Sequence, residues 1–533
     1  MSTENVFAAA LIGVLVLPLL AAAAALGLDA RRPRVARQLG GWVASGCFLV
    51  TGGLGIAVLS QRDVSMSIRG DDGIVLAGVA ANRLGVLLML LVFGVSAVAQ
   101  SFAVRYLAGD SRARWFSASA GLLTSASIGL MISVTLIGLA VFWTMAGVAL
   151  CLLLATYSHL SAARDGVRRT TLSFLVGDIA LWLAVVLVTV HSGNLELATA
   201  NGMDLGDSTL SAGAIACLFA LAALSRSAQI PFHRWLPSTL AAPTPVSALL
   251  HAGVVNAGGV LLIRLGSLVN GSAVAMGLVV FAGAVTMIYG TLLMLTKPDI
   301  KGALTHSTMA QMGFMTLTCG LGLYAAAAFH LVAHGLYKAT LFLSSGSAVN
   351  RHRRIAFAPP EMRNTRTRYA VVALGSVAVP ALTLGVAVLV FPLPSGEHQS
   401  GYALLIFAWA TAAAATMGWL ERRFDIGRAL SAVAMLAVAS AGYVWLVGAV
   451  AGWMTSDLPD YTPPAAASWL IIAVAGVLVG VTVVRYANDA GPWGFLHRTL
   501  YVRALSAGHV SMPEQRSTRA VPASTSLMTG AHR

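Results

Sequence analysis

The segment Leu224-Ser225-Arg226-Ser227-Ala228-Gln229-Ile230-Pro231-Phe232-His233-Arg234-Trp235-Leu236-Pro237, followed by Ala242-Pro243-Thr244-Pro245-Val246, decides how this chain folds. It joins two apolar runs, yet Pro231, Pro237, Pro243 and Pro245 fall within fifteen residues of it. Each proline lacks an amide donor and crowds the turn before it, so no uninterrupted helix passes through. By position alone, the stretch reads either as an ordinary turn between spans or as a broken helix. A broken helix at membrane depth is tolerated where it is buried in protein or lines water, and such breaks mark transporter binding sites. The next apolar run favours the broken helix: it carries His251, then Gly253, Gly258 and Gly259, which permit close helix contact.

The rest of the chain requires a membrane. Hydrophobic residues make up 57% and charged residues 10%, against roughly 25% charged in soluble domains. Apolar runs of about 20 residues recur, enough to cross a hydrocarbon core of about 30 Å. They show no strand-like alternation, which makes them helices. The expected fold is an all-α polytopic membrane protein of about 15 transmembrane helices with a broken seventh helix. The spans fall near 6–27, 39–60, 84–104, 116–134, 136–157, 170–191, 209–227, 244–265, 273–295, 301–321, 324–348, 369–391, 401–420, 429–452 and 467–484. Residues 1–484 thus form one transmembrane domain. An amphipathic cytoplasmic surface segment is expected over 485–508, with Trp493, Phe495, Leu496, Leu500 and Tyr501, and a disordered tail over 509–533.

A net charge of +14 would suit nucleic-acid binding, but the arginines sit in short loops between spans. There they set topology and meet anionic lipid headgroups, and no nucleic-acid partner is expected. Basic groups at 31–37, 105–114, 164–169, 297–301, 351–368 and 422–428 alternate with loops holding Glu196, Asp204, Asp207, Glu397, Asp457 and Asp460. The alternation gives an external N-terminus and a cytoplasmic C-terminus. Cys47, Cys151, Cys217 and Cys319 fall within spans without close spacing and read as packed thiols. The first apolar run, some 22 residues, is long for a signal-peptide core.

A few polar residues inside spans carry the functional expectation. His330, His334 and Lys338 recur every four residues and form one stripe on a helix. A charge near the bilayer centre costs roughly 2.5–3.5 kcal/mol on insertion scales, so such groups face a protein interior or a water path. Asp178 is the one acidic residue within the predicted spans, with Arg226, His251, Lys301, His306, His330, His334 and Lys338 as candidate partners. Arginine stays charged and can bias neighbours without relaying a proton; histidine and desolvated lysine can exchange protons near neutral pH. His306 alone reads first as a satisfied core residue. Two histidines and a lysine without a carboxylate make a poor metal site. The sequence holds no phosphate loop, metal-spaced Cys/His set or nucleophile motif, so no catalytic residue and no cofactor is assigned to it.

From about Arg83 to Ser347 the chain resembles the antiporter-like membrane subunits of respiratory complex I and Mrp-type cation/proton antiporters. The motifs are Ser227-Ala228-Gln229 with Pro231 and Trp235-Leu236-Pro237, Pro243 to Leu249 with His251-Ala252, Asp299-Ile300-Lys301 with Ser307 to Met309 and Gln311-Met312-Gly313, and the His330/His334/Lys338 row. The resemblance implies a broken seventh helix, an eleventh-helix relay, and Arg226 in the position of a central lysine. Two departures stand out. Trp143 is followed by Thr144 where the family has a glutamate that pairs with that lysine, and span twelve carries no charged residue. The chain is also expected to lack the long lateral helix of the large complex I subunit.

Leu250 to Gly259, together with His330 to Lys338 and Phe342 to Ser347, is similar to the DabB family, the membrane half of a two-component inorganic-carbon accumulation system. That resemblance implies a bacterial inner-membrane location and a cytoplasmic DabA partner with a zinc site like that of β-type carbonic anhydrases. Cation flow, read as proton flow, would drive net CO2 hydration to bicarbonate in that partner. The rival expectations are a proton-pumping or Na+/H+ antiporter-like subunit of a Mrp-type or complex I-related assembly, and a non-conducting membrane anchor.

Overall fold

The computed structural model describes residues 3–28, 33–60, 64–71, 73–203, 210–297, 299–347, 366–393, 398–420, 426–459, 461–462, 464 and 466–486, with positions 499, 502, 503 and 505. The tail 509–533 and most of the expected surface segment 485–508 therefore lie outside the described residues, as does most of the basic stretch 351–368.

The chain is a helical bundle. Its principal helices are α1 (Thr3–Leu28), α2 (Pro33–Leu59), α3 (Arg83–Tyr106), α4 (Ala113–Ile132), α5 (Leu136–Leu154), α6 (Ser161–Ser192) and α7 (Leu210–Arg226). They continue as α8 (Thr244–Ala252), α9 (Ala257–Arg264), α10 (Ala273–Thr296), α11 (Ile300–Gly320), α12 (Tyr324–Leu343), α13 (Arg366–Val390), α14 (His398–Leu420), α15 (Ile426–Met454) and α16 (Ala466–Tyr486). Several starts are written in the sequence as side-chain caps. Asn82 accepts from the Gly85 amide at 2.8 Å, Thr135 from Gly138 and Ser272 from Ala275. Asp299 accepts from Gly302. Such caps contribute about 1 kcal/mol each. Outside the spans, the Tyr157 hydroxyl donates to Asp110 at 2.6 Å, holding that carboxyl below the usual carboxylate range and tying the α3–α4 turn to the end of α5.

Among the described residues, ten helical segments are long and apolar enough to cross a membrane. Gly213–Arg226, Leu374–Val390 and Trp469–Leu478 are shorter apolar helices, while α11 and α12 fall outside both sets. The segment Thr244–Arg264 is entirely enclosed by the bundle, the only one of the ten so placed. It forms the axis, with α3, α4, α7, α11 and α12 packed around it. Beside that axis α10 and α11 touch backbone to backbone: a Cβ on Gly290 would lie 2.5 Å from the Ala310 amide. Small residues permit this approach where no hydrophobic driving force separates helix from lipid.

Two features depart from the sequence reading. The expected span 244–265 stands as one segment, Thr244–Arg264, but it consists of two helices, α8 and α9, broken at 253–256. The Val255 amide reaches back to the Leu250 carbonyl at 3.1 Å, and the Asn256 side-chain amide donates to the Leu331 carbonyl of α12 at 3.2 Å. A side chain from the broken segment thus bonds to a neighbouring helix where helical bonding is lost. The second feature is an antiparallel hairpin, β1 (Ser65–Arg69) with β2 (Val75–Ala80), in the loop between α2 and α3. It folds down onto the α4–α5 turn, where the Val134 amide donates to the Gly78 carbonyl at 3.1 Å. The four cysteines are free thiols within helices, with no disulfide between them.

Candidate ion-translocation site

Helix α7 ends at Arg226, and the chain crosses to α8 through short helical turns at 232–234, 235–238 and 239–241. Pro231 and Pro237 lie within this crossing, Pro243 stands just before α8, and Pro245 occupies its first turn, where a missing amide costs nothing. The amides and carbonyls freed by the break find side-chain partners. Ile230 donates its amide to the Thr286 hydroxyl at 3.0 Å, Trp235 donates its indole N–H to the Ser225 carbonyl at 3.1 Å, and Gln229 donates to the Ser227 carbonyl at 2.8 Å. The Ser227 hydroxyl donates to the Val255 carbonyl at 2.9 Å, so the two broken segments are bonded to each other. Gly258 makes this approach possible: a Cβ there would meet the Ala223 carbonyl and the Ser227 hydroxyl.

Arg226 and Asp178 form an ion pair with Nη2 to Oδ1 at 2.5 Å. The arginine is 1% exposed and the aspartate side chain 18%. The same Oδ1 accepts the indole N–H of Trp143 at 2.8 Å. The guanidinium is sandwiched between Trp143 and Phe174, its carbon 4.6 Å and 4.0 Å from their ring centres. Gly147 leaves room for it, since a Cβ there would fall 2.6 Å from Nη1. Nε and Nη1 have no hydrogen-bond partner among the described residues. Helix five carries Thr144 after Trp143, and the carboxylate that meets Arg226 comes from helix six, facing a permanent charge.

A second cluster surrounds Lys338 on α12. The lysine is fully buried, while its neighbours Leu336 and Tyr337 are 51% and 55% exposed on the outward face of the same helix. Its ammonium donates to the Ser307 hydroxyl of α11 at 2.6 Å. One turn along, His334 Nδ1 meets Gln311 Oε1 at 2.9 Å. The His251 ring of α8 lies 5.5 Å from that of His334 and stacks on Phe342 at 4.9 Å. His330 lies 5.7 Å beyond His334 and edges against Phe314 at 4.9 Å. Both nitrogens of His251 and the Nε2 atoms of His330 and His334 have no partner among the described residues. The cluster is a buried ammonium held by a neutral hydroxyl, with three imidazoles grouped beyond it.

The remaining candidates stand apart. His306 bonds through Nδ1 to the Gly302 carbonyl one turn back at 2.8 Å, the satisfied-core reading of that residue. Lys301 lies in the first turn of α11, partly buried, well before the Ser307 hydroxyl that takes the Lys338 bond. In the sequence Ser307 and Gln311 stand only as letters of a family motif. Their four-residue spacing, matching that of His334 and Lys338, was the signal that the two helices meet in register. Asn256 and Phe342 gave no comparable signal.

The chain has relatives. Residues 133–418 match the family model described as NADH:quinone oxidoreductase/Mrp antiporter, TM. The chain is 32% identical over 421 residues to the "Probable inorganic carbon transporter subunit DabB" of Bacillus subtilis (strain 168), covering 78% of this chain and 79% of that protein. The chain belongs to the NADH:quinone oxidoreductase/Mrp antiporter family, among its DabB-type members. It is 34% identical over 348 residues to the "Probable inorganic carbon transporter subunit DabB1" of Halothiobacillus neapolitanus, covering 62% of each. A solved structure of the Mrp complex from Dietzia sp. DQ12-45-1b contains a chain of the same fold, with TM-score 0.64 at 23% identity over 95% of this chain. The match spans 61% of that Mrp chain, and the match to the Halothiobacillus protein spans 62% of that polypeptide.

Proposed function

We propose that the chain is a cation-conducting membrane subunit, carrying protons, of a two-component system that accumulates inorganic carbon as bicarbonate. A DabA-like cytoplasmic partner holding zinc would carry out the hydration of CO2, releasing one proton for each bicarbonate formed. Proton flow through this chain would supply the energy that makes hydration net. In this reading Lys338, His334, His251 and His330 exchange the proton, and Asp178 with Arg226 fixes the field beside them. His306 and Lys301 flank the route near the start of α11. The N-terminus lies outside and the C-terminus in the cytoplasm, as the distribution of basic loops implies.

The observation that carries the reading is Lys338 itself: a fully buried amine bonded to a neutral hydroxyl, with three imidazoles beyond it. A structural lysine at such depth is normally matched by a carboxylate, because the desolvation cost is otherwise several kcal/mol. An ammonium without that match is suited to giving up its proton.

The test is reconstitution of the full chain in proteoliposomes with proton uptake followed on an imposed gradient, beside capture of the partner from solubilised membranes. Lys338→Ala should lower uptake at least tenfold while partner capture is retained. Normal uptake in that variant would sink the conduit and leave a membrane anchor. A partner lacking zinc and carbonic-anhydrase chemistry would instead favour a Mrp-type antiporter subunit.

A further inference from the structure

One cavity belongs to neither cluster. At the end of the bundle where α3 and α12 begin and α4, α9 and α15 finish, a cavity of about 370 Å³ is lined by Asn82, Asn201, Arg264, Ser267, Ser456 and Asp457 with a few apolar side chains. Both amino nitrogens of Arg264 are committed to backbone carbonyls, of Leu130 at 2.7 Å and of Ser133. These carbonyls close the C-terminal end of α4, whose partial negative charge the guanidinium offsets. Asp457 is held differently. Its Oδ2 accepts the Leu84 amide at 3.2 Å, and its Oδ1 meets the hydroxyl of exposed Ser456 at 3.1 Å. A neutral, solvent-facing hydroxyl is a donor that a cation can displace, whereas the two buried carbonyl contacts of Arg264 are not exchangeable in that way. The Asn82 and Asn201 side-chain oxygens each accept one backbone amide, of Gly85 at 2.8 Å and Leu268 at 3.4 Å, so the carboxylate and the serine hydroxyls are what the cavity offers a hard cation that keeps most of its water.

The cavity also lies close to the histidine row. Gly266, in the short turn after Arg264, packs against both Pro459 and Tyr324, the first residue of α12. From Tyr324 to His330 is six residues, about 9 Å along a helix axis. Tyr324 donates to Asn270 at 2.6 Å, which ties the start of α12 to the turn after Arg264.

We propose that this cavity is a cation vestibule at the outer mouth of the ion route, where Asp457 holds a small hydrated monovalent cation. Its role as a mouth rests on the proposed conduction; its charge selectivity does not.

The test uses the full chain with Cys47, Cys151, Cys217 and Cys319 replaced by alanine and a single reporter, Ser267→Cys, with Ser456→Cys as a second. Thiol modification is timed with a trimethylammonium and a sulfonate methanethiosulfonate reagent of similar size. The cationic reagent should react about tenfold faster, and Asp457→Asn should cut that preference about fivefold, the effect of one nearby unit charge in a partly screened site. Sodium replacing choline at constant ionic strength should slow cationic labelling if sodium is held. Preference that depends on Asp457, with no protection by either sodium or potassium over choline, would show a charged cavity that holds no cation and overturn the occupancy. Equal rates for the two reagents, a preference unchanged by Asp457→Asn, or no reaction at either reporter would overturn the proposal. Labelling needs no ion flow. A charge-selective cavity in a protein that conducts nothing would therefore remove the conduction reading and leave the cation site.

Discussion

Two buried basic groups of the bundle, Arg226 and Lys338, are held in opposite ways. Arg226 faces a carboxylate at 2.5 Å, lies between two aromatic rings and has a glycine beside it to make room. Lys338 is buried as deeply but meets a serine hydroxyl, and beyond it come imidazoles instead of acids. A guanidinium keeps its charge under all conditions, so its pocket must be neutralised permanently. An ammonium can shed its charge, so its pocket need not be. The difference separates a fixed element of the field from a movable one, and it gives the antiporter fold two kinds of buried base within one bundle.

That contrast can be broken by substitution. Lys338→Ala should have the largest effect, with ion flux down at least tenfold and little loss of thermal stability, since a costly group is being removed. Asp178→Asn should act the other way. It leaves Arg226 an unmatched buried charge and should lower stability by about 3–5 kcal/mol, read as a fall in the detergent melting temperature. Much of that loss should return in the double variant Asp178→Asn with Arg226→Met; a double variant as unstable as the single would mean the pair is not what holds this region. Ser307→Ala should cost about 1.5–3 kcal/mol, the usual loss for a hydrogen bond to a charged group, and the flux it leaves measures how far Lys338 depends on that hydroxyl. Gly147→Ala should push the guanidinium off its seat and cost about 1–3 kcal/mol by overpacking. The smallest effect expected is at Ala228, which sits at φ +52° in the turn after Arg226. Ala228→Gly should relieve about 1–2 kcal/mol of left-handed strain, offset in part by the greater freedom of glycine in the unfolded chain, for a small net gain.

Much of this was readable from sequence because membranes restrict what a sequence can mean. Apolar runs can only be helices, four prolines in fifteen residues rule out an uninterrupted one, and a fourfold spacing puts His330, His334 and Lys338 on one face. Periodicity names a face but not its neighbour. Asp178 had seven possible partners in sequence, and which one it meets is decided by how α6 packs on α7. The break at 253–256 was hidden for a related reason. Its signal is a glycine and an asparagine inside an apolar run, and the Asn256 contact that supports it comes from Leu331, 75 residues away. The hairpin escaped because its strands are short and its exposed residues Met66, Ile68 and Leu76 resemble loop text between two long spans.

The polarity of α11 and α12 bears on how the protein is made as well as on what it does. Neither helix is among those apolar enough to enter a bilayer by composition, and a lone lysine on such a segment would raise its insertion cost by roughly 2.5–3.5 kcal/mol. They are joined by a turn at 321–323 and cross-linked by Lys338 to Ser307 and His334 to Gln311. A hairpin in which these two bonds are already made costs less to insert than either helix alone. The contacts that organise the buried row would thus also lower the cost of placing these two helices in a bilayer together.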